Sequence, residues 1–381
     1  MNMSVKFPEN SKSKHLSAEQ IAELGQKIDA IRRDIMDSIG EQDAQYIYKI
    51  RDFVRYSEIT SRGMLMFGGW IPPVWLLGTG LLGLSKIVEN MELGHNVMHG
   101  QFDWLNDPNL NGANYDWDTM ATGDDWKYTH NYIHHTYTNI VGKDHDVGYG
   151  LIRVSESQKW EPRFLFNIPL TIQLMVFFEW YVGLQGLHLE EVIAYKTKTW
   201  KEVWIESAKF RKKAVRQVAK DYVFFPLIAG PNAIPVFAGN AVANVIRSLW
   251  ASAVIFNGHF TEDAETFEPD NTETETRAEW YLRQIRGSSN FTGTEWLHIL
   301  SGNLSHQIEH HLFPDMPANR YAEAAPKIRA LCAEYGINYN EASFFKQFGS
   351  VWVRLAKCSL PNSWTASAVQ SKQKLKTLFS F

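Results

Sequence analysis

Three long apolar runs constrain the fold of this chain more than any other feature of its sequence. Twenty-three consecutive uncharged residues separate Arg62 from Lys86, and 25 separate Asp221 from Arg247. A third run, 164–189, contains only Glu179 as a charge. Because a helix needs about 20 apolar residues to cross the hydrocarbon core of a bilayer, these runs predict membrane-spanning helices rather than buried helices of a soluble protein.

The average composition conceals these runs. Mean hydropathy is −0.28 and the net charge is −4, since polar segments outweigh the apolar ones. That charge balance excludes a basic nucleic-acid-binding protein, and we expect no nucleic acid partner. Two cysteines, Cys332 and Cys358, are too few for a disulfide framework or a Cys-based metal site. We therefore expect an all-α integral membrane protein with a polar helical cap.

The apolar runs predict about four transmembrane helices arranged in hairpins. Segment 222–261 fits a hairpin of two short helices, which places Arg247 inside a span, a costly position unless the charge meets a polar group. Segment 62–99 fits either a tight hairpin at Pro72-Pro73 or a single crossing. Segment 164–189 fits a re-entrant segment, an in-plane helix or half of another pair. Nine Lys or Arg residues in 196–220 place that segment on the cytoplasmic side.

Polar segments flank the apolar region at both ends. Residues 1–60 are expected to form an amphipathic helical cytoplasmic segment, in which Ser17 and Gln20 make a capping box. Residues 61–325, between these segments, are expected to form one membrane-anchored domain. Residues 326–381 are expected to be a C-terminal cytoplasmic helix and tail.

Eight of the 13 histidines fall into three clusters. The clusters are H-N-V-M-H (His95, His99), H-N-Y-I-H-H (His130, His134, His135) and H-Q-I-E-H-H (His306, His310, His311). Residues four apart lie on one face of a helix, so two imidazoles can reach one ion, while the adjacent histidine points toward a second. Eight imidazoles exceed the needs of one catalytic zinc and suit two transition-metal ions, for which Fe, Zn, Cu and Ni are candidates.

The clusters must share one membrane face to share one metal site. An even number of crossings between them satisfies this condition. A hairpin over 222–261 also brings His259, in F-N-G-H-F, to the same face. We therefore predict His259 as a ninth ligand.

The three clusters in this order closely resemble the histidine boxes of the membrane fatty acid desaturases. The resemblance covers about residues 60–325, and H-Q-I-E-H-H-L-F-P at 306–314 is similar to bacterial acyl-CoA and linoleoyl-CoA type desaturases. It implies a di-iron centre on the cytoplasmic face, O2 as co-substrate and a long-chain acyl group, on CoA or a membrane lipid, in an internal tunnel. The sequence has no H-P-G-G motif of a fused cytochrome b5 domain, so we expect a separate reductase or ferredoxin to supply electrons.

Two positions depart from the family pattern. Asn96 replaces the Asp that often follows the first histidine of the first box, which puts its supporting role in doubt. In many relatives Gln stands at the first position of the third box. Gln307 occupies that position here, beside His306, and the parallel with H-N-Y-I-H-H favours His306 as the ligand.

Desaturation removes two hydrogens from unactivated methylenes, which requires an oxygen-activating metal rather than a side-chain acid or base. Carboxylates that could tune the metals from behind the histidines are Asp124, Asp125, Asp144, Asp146 and Glu309. A membrane di-iron hydroxylase of alkyl chains or lipids is the alternative enzyme. A membrane zinc hydrolase fits less well, because it would need only three or four ligands and no reductant. A metal transporter or haem-binding protein also fits less well, because it would place its histidines within the spans, whereas here they lie at the ends of the apolar runs and in polar flanks.

Overall fold

The computed structural model describes residues 16–189, 192, 196–269 and 274–364, and this part of the chain is mostly helical, as predicted. Residues 1–15 and 365–381, which belong to the predicted terminal segments, lie outside it. Strand β1 (Asn290–Thr292) pairs in parallel with β2 (Glu341–Ser343).

The helices follow one another with short connections. In the first half they are α1 (Ala18–Met36), α2 (Glu41–Gly68), α3 (Pro72–Val88), α4 (His95–Met98), α5 (Gly123–Trp126), α6 (His135–Tyr137), α7 (Asn167–Val176) and α8 (Phe178–Gln185). In the second half they are α9 (Trp200–Glu206), α10 (Ala208–Ala219), α11 (Phe225–Ile228), α12 (Ala233–His259), α13 (Arg277–Gly287), α14 (Glu295–Leu300), α15 (Gln307–Leu312), α16 (Tyr321–Tyr335) and α17 (Phe344–Cys358). Three π-helical segments, Glu89–Gly94, Lys127–His134 and Lys220–Phe224, continue α3, α5 and α10.

Helices α2 and α3 form the hairpin that was one of two alternatives for 62–99. The turn lies just before Pro72, and Ser85 of α3 donates to the Val54 carbonyl of α2 at 3.0 Å. The apolar run covers α3 but only the last turns of α2, because charged residues continue along α2 as far as Arg62. Helix α2 therefore runs through the boundary predicted at residue 60.

A second hairpin joins α10 and α11 to α12, with its turn near Gly230. The Asn240 side chain donates to the Asp221 carbonyl of the opposite arm. Its second arm is a single 27-residue helix, α12. The turns of the two hairpins are linked, because the Trp70 indole N–H donates to the Pro231 carbonyl at 2.8 Å. Leu65, Leu82, Val236 and Ala243 pack between the hairpins.

Helices α7 and α8 occupy the third apolar run and meet at a bend of 90°. Taken together with the turn before α7, they are long and apolar enough for a broken span or a re-entrant loop. Among the described residues, no single helix meets the length and hydropathy required of a membrane span.

The cap has a core of its own. Leu24 and Ile28 of α1 pack with Tyr281 of α13, Phe313 and Ile328. Helix α1 begins as the sequence predicts, because Gln20 N–H donates to Ser17 Oγ at 3.3 Å and the Gln20 side chain accepts from Ser17 N–H at 2.9 Å. Helix α16, within this core, crosses the boundary predicted between residues 325 and 326.

Candidate metal centre

The first two histidine clusters lie at transitions between π-helix and α-helix. His95 opens α4 directly after the π-helical segment Glu89–Gly94, and His130 and His134 lie in the π-helical segment Lys127–His134. A π-helical turn has i→i+5 hydrogen bonds, so it brings the residue five positions on toward the same side. The His130 ring centroid lies 5.0 Å from the ring centroids of both His134 and His135.

Eight of the nine predicted ligands converge in the interior. The first group is His95, His99, His130 and His310, and the second is His134, His259 and His311. Within each group the candidate ligand atoms lie within 4.8 Å of one another. His135 forms a third such group with His310 and His311, so it lies between the first two.

Polar side chains hold the Nδ1 atoms of several of these rings. Nδ1 of His95 lies 3.0 Å from Asn96 Oδ1, and Nδ1 of His134 lies 3.0 Å from Asp144 Oδ2. The remaining partners are Tyr321 Oη, 3.1 Å from His310 Nδ1, and Gln284 Oε1, 3.0 Å from His311 Nδ1. Partners of this kind fix the orientation of an imidazole and leave Nε2 free to bind a metal.

Several of the remaining ring nitrogens have no such partners. Within the described part of the chain, Nε2 of His99, Nε2 of His310 and both ring nitrogens of His135 are buried and make no hydrogen bond. Buried polar atoms without partners are costly in a folded protein. A pair of metal ions bound by these nitrogens removes that cost, so the donor set fits two ions of the kind that imidazole prefers.

Burial sets the protonation of most of these rings. It lowers the pKa of His95 to about 4, and it lowers the pKa values of His99, His310 and His311 well below the usual range. Neutral imidazole is the form that binds metal. His134 is different, because Asp144 and Asp146 outweigh burial and raise its pKa to about 9. The same carboxylates favour a cation beside that ring.

Two of the five predicted carboxylates contact histidines directly. Asp144 holds His134, and Asp146 Oδ2 lies 3.6 Å from His134 Nδ1. Glu309 is buried in the third cluster but accepts from Asn290 Nδ2 at 2.8 Å and from Tyr339 Oη at 3.0 Å. The other two, Asp124 and Asp125, point away from the rings and contact Lys209 and Thr122 respectively.

The amino-acid sequence of this chain is similar to those of known proteins. The family model described as Fatty acid desaturase matches residues 69–343. The chain belongs to the fatty acid desaturase family. This desaturase is 44% identical to the NADPH-dependent stearoyl-CoA 9-desaturase of Mycobacterium tuberculosis, over 92% of the present chain and 82% of that protein. It is 28% identical to the sn-1 linoleoyl-lipid 6-desaturase of Synechocystis, over 74% of the present chain and 79% of the relative.

The comparisons confirm the predicted enzyme class, a fatty acid desaturase. Asn96 departs from the family pattern in the first box, but its side-chain oxygen still faces His95 Nδ1. Its amide nitrogen donates to the Glu92 carbonyl at 2.9 Å. An amide can therefore orient this ring from the position where relatives often carry a carboxylate.

The desaturase does not bring His306 to the other predicted ligands. Its ring stacks on His298, with centroids 5.0 Å apart, and it belongs to none of the groups above. Gln307 lies at the site instead, with Nε2 2.9 Å from His259 Nε2. The parallel with the second cluster misleads because His306 ends a 3-10 turn, Leu304–His306, and α15 begins only at Gln307. The i,i+4 relation to His310 is therefore lost.

Two site residues were absent from the sequence prediction. Tyr321, which meets His310, lies 11 residues along the chain from it, and Gln284, which meets His311, lies 27 residues away. Neither belongs to a local motif of the desaturase. Only the packing of α13 and α16 against α15 brings them to the rings.

A mostly apolar cavity, partly open to solvent, adjoins the metal centre of this desaturase. His95, His130, His134 and His259 contribute to its wall. The apolar part of the lining includes Met91, Trp117, Phe178, Val182, Ala251 and Ile255. A mostly apolar cavity that reaches the histidines is suited to a hydrocarbon chain.

Proposed function

We propose that this enzyme introduces a double bond into a long-chain acyl-CoA, with O2 as oxidant, two iron ions as cofactor and a separate reductase or ferredoxin as electron donor. The observation that carries the proposal is the pair of buried histidine groups at the wall of an apolar cavity. Overall, –CH2–CH2– + O2 + 2 e⁻ + 2 H⁺ gives –CH=CH– + 2 H2O. When bound, the iron ions supply the oxidising power that unactivated methylenes require.

The chain's own residues would bind the metal ions and orient the histidine rings. His95, His99, His130 and His310 would hold one ion, and His134, His259 and His311 the other. His135, which forms a group with His310 and His311, would be a further ligand. Asn96, Asp144, Tyr321 and Gln284 keep the rings in place from behind. Because these rings are preorganised, little reorganisation is needed when the metals bind or the reaction proceeds.

Names of relatives support the acyl carrier and the electron source. The relative at 44% identity is named for stearoyl-CoA and for NADPH dependence, whereas the one at 28% is named for a lipid-linked acyl group. We therefore favour acyl-CoA as substrate and an NADPH-dependent reductase in the electron supply.

We also propose that the enzyme is an integral membrane protein whose metal centre faces the cytoplasm. Large apolar side chains are exposed on three helices of the hairpins: Leu76 and Leu77 on α3, Leu227 on α11, and Ile234 and Phe237 on α12. Such a surface favours contact with lipid over water. Resistance of the protein to alkaline extraction from membranes tests this proposal, and release into the supernatant would contradict it.

The enzymatic proposal is tested by expressing the desaturase with a compatible reductase and analysing the fatty acids by gas chromatography. We expect a new double bond and about two iron ions per chain by elemental analysis. His310→Ala should abolish the product, whereas His188→Ala, outside the histidine groups, should retain it. A hydroxylated product, or a full complement of zinc without iron, would overturn the proposal. Feeding labelled acyl-CoA and labelled acyl-lipid separately distinguishes the carriers.

A further inference from the structure

The cavity follows one face of α12 for about three turns. Its lining residues on this helix are Arg247, Ser248, Ala251, Ile255 and His259. Twelve residues separate the first from the last, which corresponds to about 18 Å along the helix axis. Within the described residues, His259 therefore marks the metal end of the cavity on α12, and Arg247 marks its far end.

The lining changes character along this path. Between the two ends, Ala251 and Ile255 of α12 line the cavity together with Phe178 and Val182 of α8. At the far end, the Arg247 guanidinium pairs with the Glu179 carboxylate of α8. Both side chains are buried, with 2% and 10% of their surface exposed. Arg247 is the charge inside the apolar segment 222–261, and Glu179 is the only charged residue of the run 164–189. The ion pair therefore connects these two segments.

A backbone carbonyl contacts this ion pair, and a second set of charged groups lies behind it. Arg247 Nη1 donates to the Asp118 carbonyl at 3.0 Å. Behind it, buried Lys86 lies 3.3 Å from the Asp118 carboxylate and 2.9 Å from that of Asp221. Removing one partner of a buried ion pair leaves an unpaired buried charge, which is strongly destabilising. An incoming methyl group therefore cannot readily displace Arg247 or Glu179 from this end of the cavity.

A hydrocarbon chain gains free energy for each methylene that leaves water for an apolar wall. That gain stops where the next methylene would have to displace a buried ion pair. Resting on the proposed desaturation of an acyl chain in this cavity, we infer that the Arg247–Glu179 ion pair closes the methyl end of the cavity and limits the length of acyl chain that the enzyme accepts.

The test compares product profiles from an equimolar mixture of saturated acyl-CoA substrates of increasing length. Both partners are removed together in E179A/R247A, because loss of one would leave an unpaired buried charge. The opened end should shift the profile toward longer chains. We expect roughly a fourfold rise in relative turnover for each additional methylene accommodated, equivalent to the ~0.8 kcal/mol that burying a methylene contributes.

A second variant tests the same path without touching the ion pair. Ala251 lines the cavity one turn closer to the metal centre, so A251L should shift the profile toward shorter chains. The matched control is D43A/R320A, which removes another ion pair with a fully buried carboxylate, in the cap and outside the cavity lining. Its profile should equal that of the unaltered enzyme.

An unchanged profile in E179A/R247A, at normal iron content, would overturn the inference. If that variant does not fold, an unchanged profile in A251L would overturn it equally, since the acyl chain would then not run along α12. Absence of any unsaturated product from the unaltered enzyme would instead contradict the proposed function, so the two failures are distinguishable.

Discussion

The Nδ1 N–H of His134 donates to the Asp144 carboxylate at 3.0 Å, and both side chains are almost completely buried. Asp144 also accepts the backbone N–H of Asn139 at 2.8 Å, so the carboxylate is itself held. This contact connects the second histidine cluster to the loop that follows it and fixes which nitrogen of His134 faces the metal centre.

Asp144→Asn should reduce iron content and activity by about 10- to 100-fold, the usual cost of losing a residue that orients a metal-bound histidine. The substitution preserves size but removes the charge that holds His134. Asp124→Asn is the matched control, because that carboxylate is exposed and pairs with Lys209. Elemental analysis and product yield measure the effect, and equal iron content in both variants would contradict this role for Asp144.

His306→Ala should retain iron and most of the activity, because its ring stacks on His298 away from the histidine groups. His310→Ala, four residues later, should lose both, since its ring lies within the first group. The comparison is made on purified protein by counting iron per chain. Loss of one iron ion in His306→Ala would restore the sequence-based assignment of this residue as a ligand.

Tyr321→Phe should lower activity by roughly tenfold or more, because the phenol oxygen 3.1 Å from His310 Nδ1 also accepts from Gln101 Nε2 at 2.9 Å. The matched control is Tyr281→Phe, which removes a hydroxyl that donates to Asp29 in the cap. Product yield per iron ion separates a positioning effect from a general loss of protein. If both variants lose activity equally, Tyr321 has no specific role at the metal centre.

Gly302→Ala should destabilise the protein by at least about 1–2 kcal/mol, the cost of a left-handed backbone for a residue with a Cβ. Gly302 has φ +70°, and an added Cβ would collide with the Met91 carbonyl. Gly349→Ala, in the middle of α17, is the control, since an added Cβ there meets no described atom within 4 Å. Thermal unfolding in detergent should show a lower melting temperature for Gly302→Ala only.

Local patterns made much of this protein predictable. The i,i+4 spacing of His95 and His99 places both rings in one group, as expected for a helix. The capping box at Ser17 and the apolar run over α3 depend only on residues close together in sequence. The family followed from the order of three short motifs.

The division of histidines between the two groups was not predictable in this way. His130 and His134 have the same spacing as His95 and His99, yet only His130 lies in the first group and only His134 in the second, although the two also lie together with Asp146 in a further group. A change of pitch to π-helix rotates side chains relative to an α-helix, and spacing alone does not reveal it. His306 fails to join for a related reason, since α15 begins one residue after it.

By itself, the sequence determined the chemistry that this protein carries: clustered imidazoles, apolar runs and a polar cap, all of which are local properties of the chain. Only the tertiary structure decided which histidine belongs to which group. It also decided that Tyr321 and Gln284 contact histidines of the third cluster and that Arg247 pairs with Glu179. These contacts join residues 11 to 68 positions apart. Such pairings depend on how helices pack, because a side chain's periodicity specifies the face it occupies but not the partner it meets.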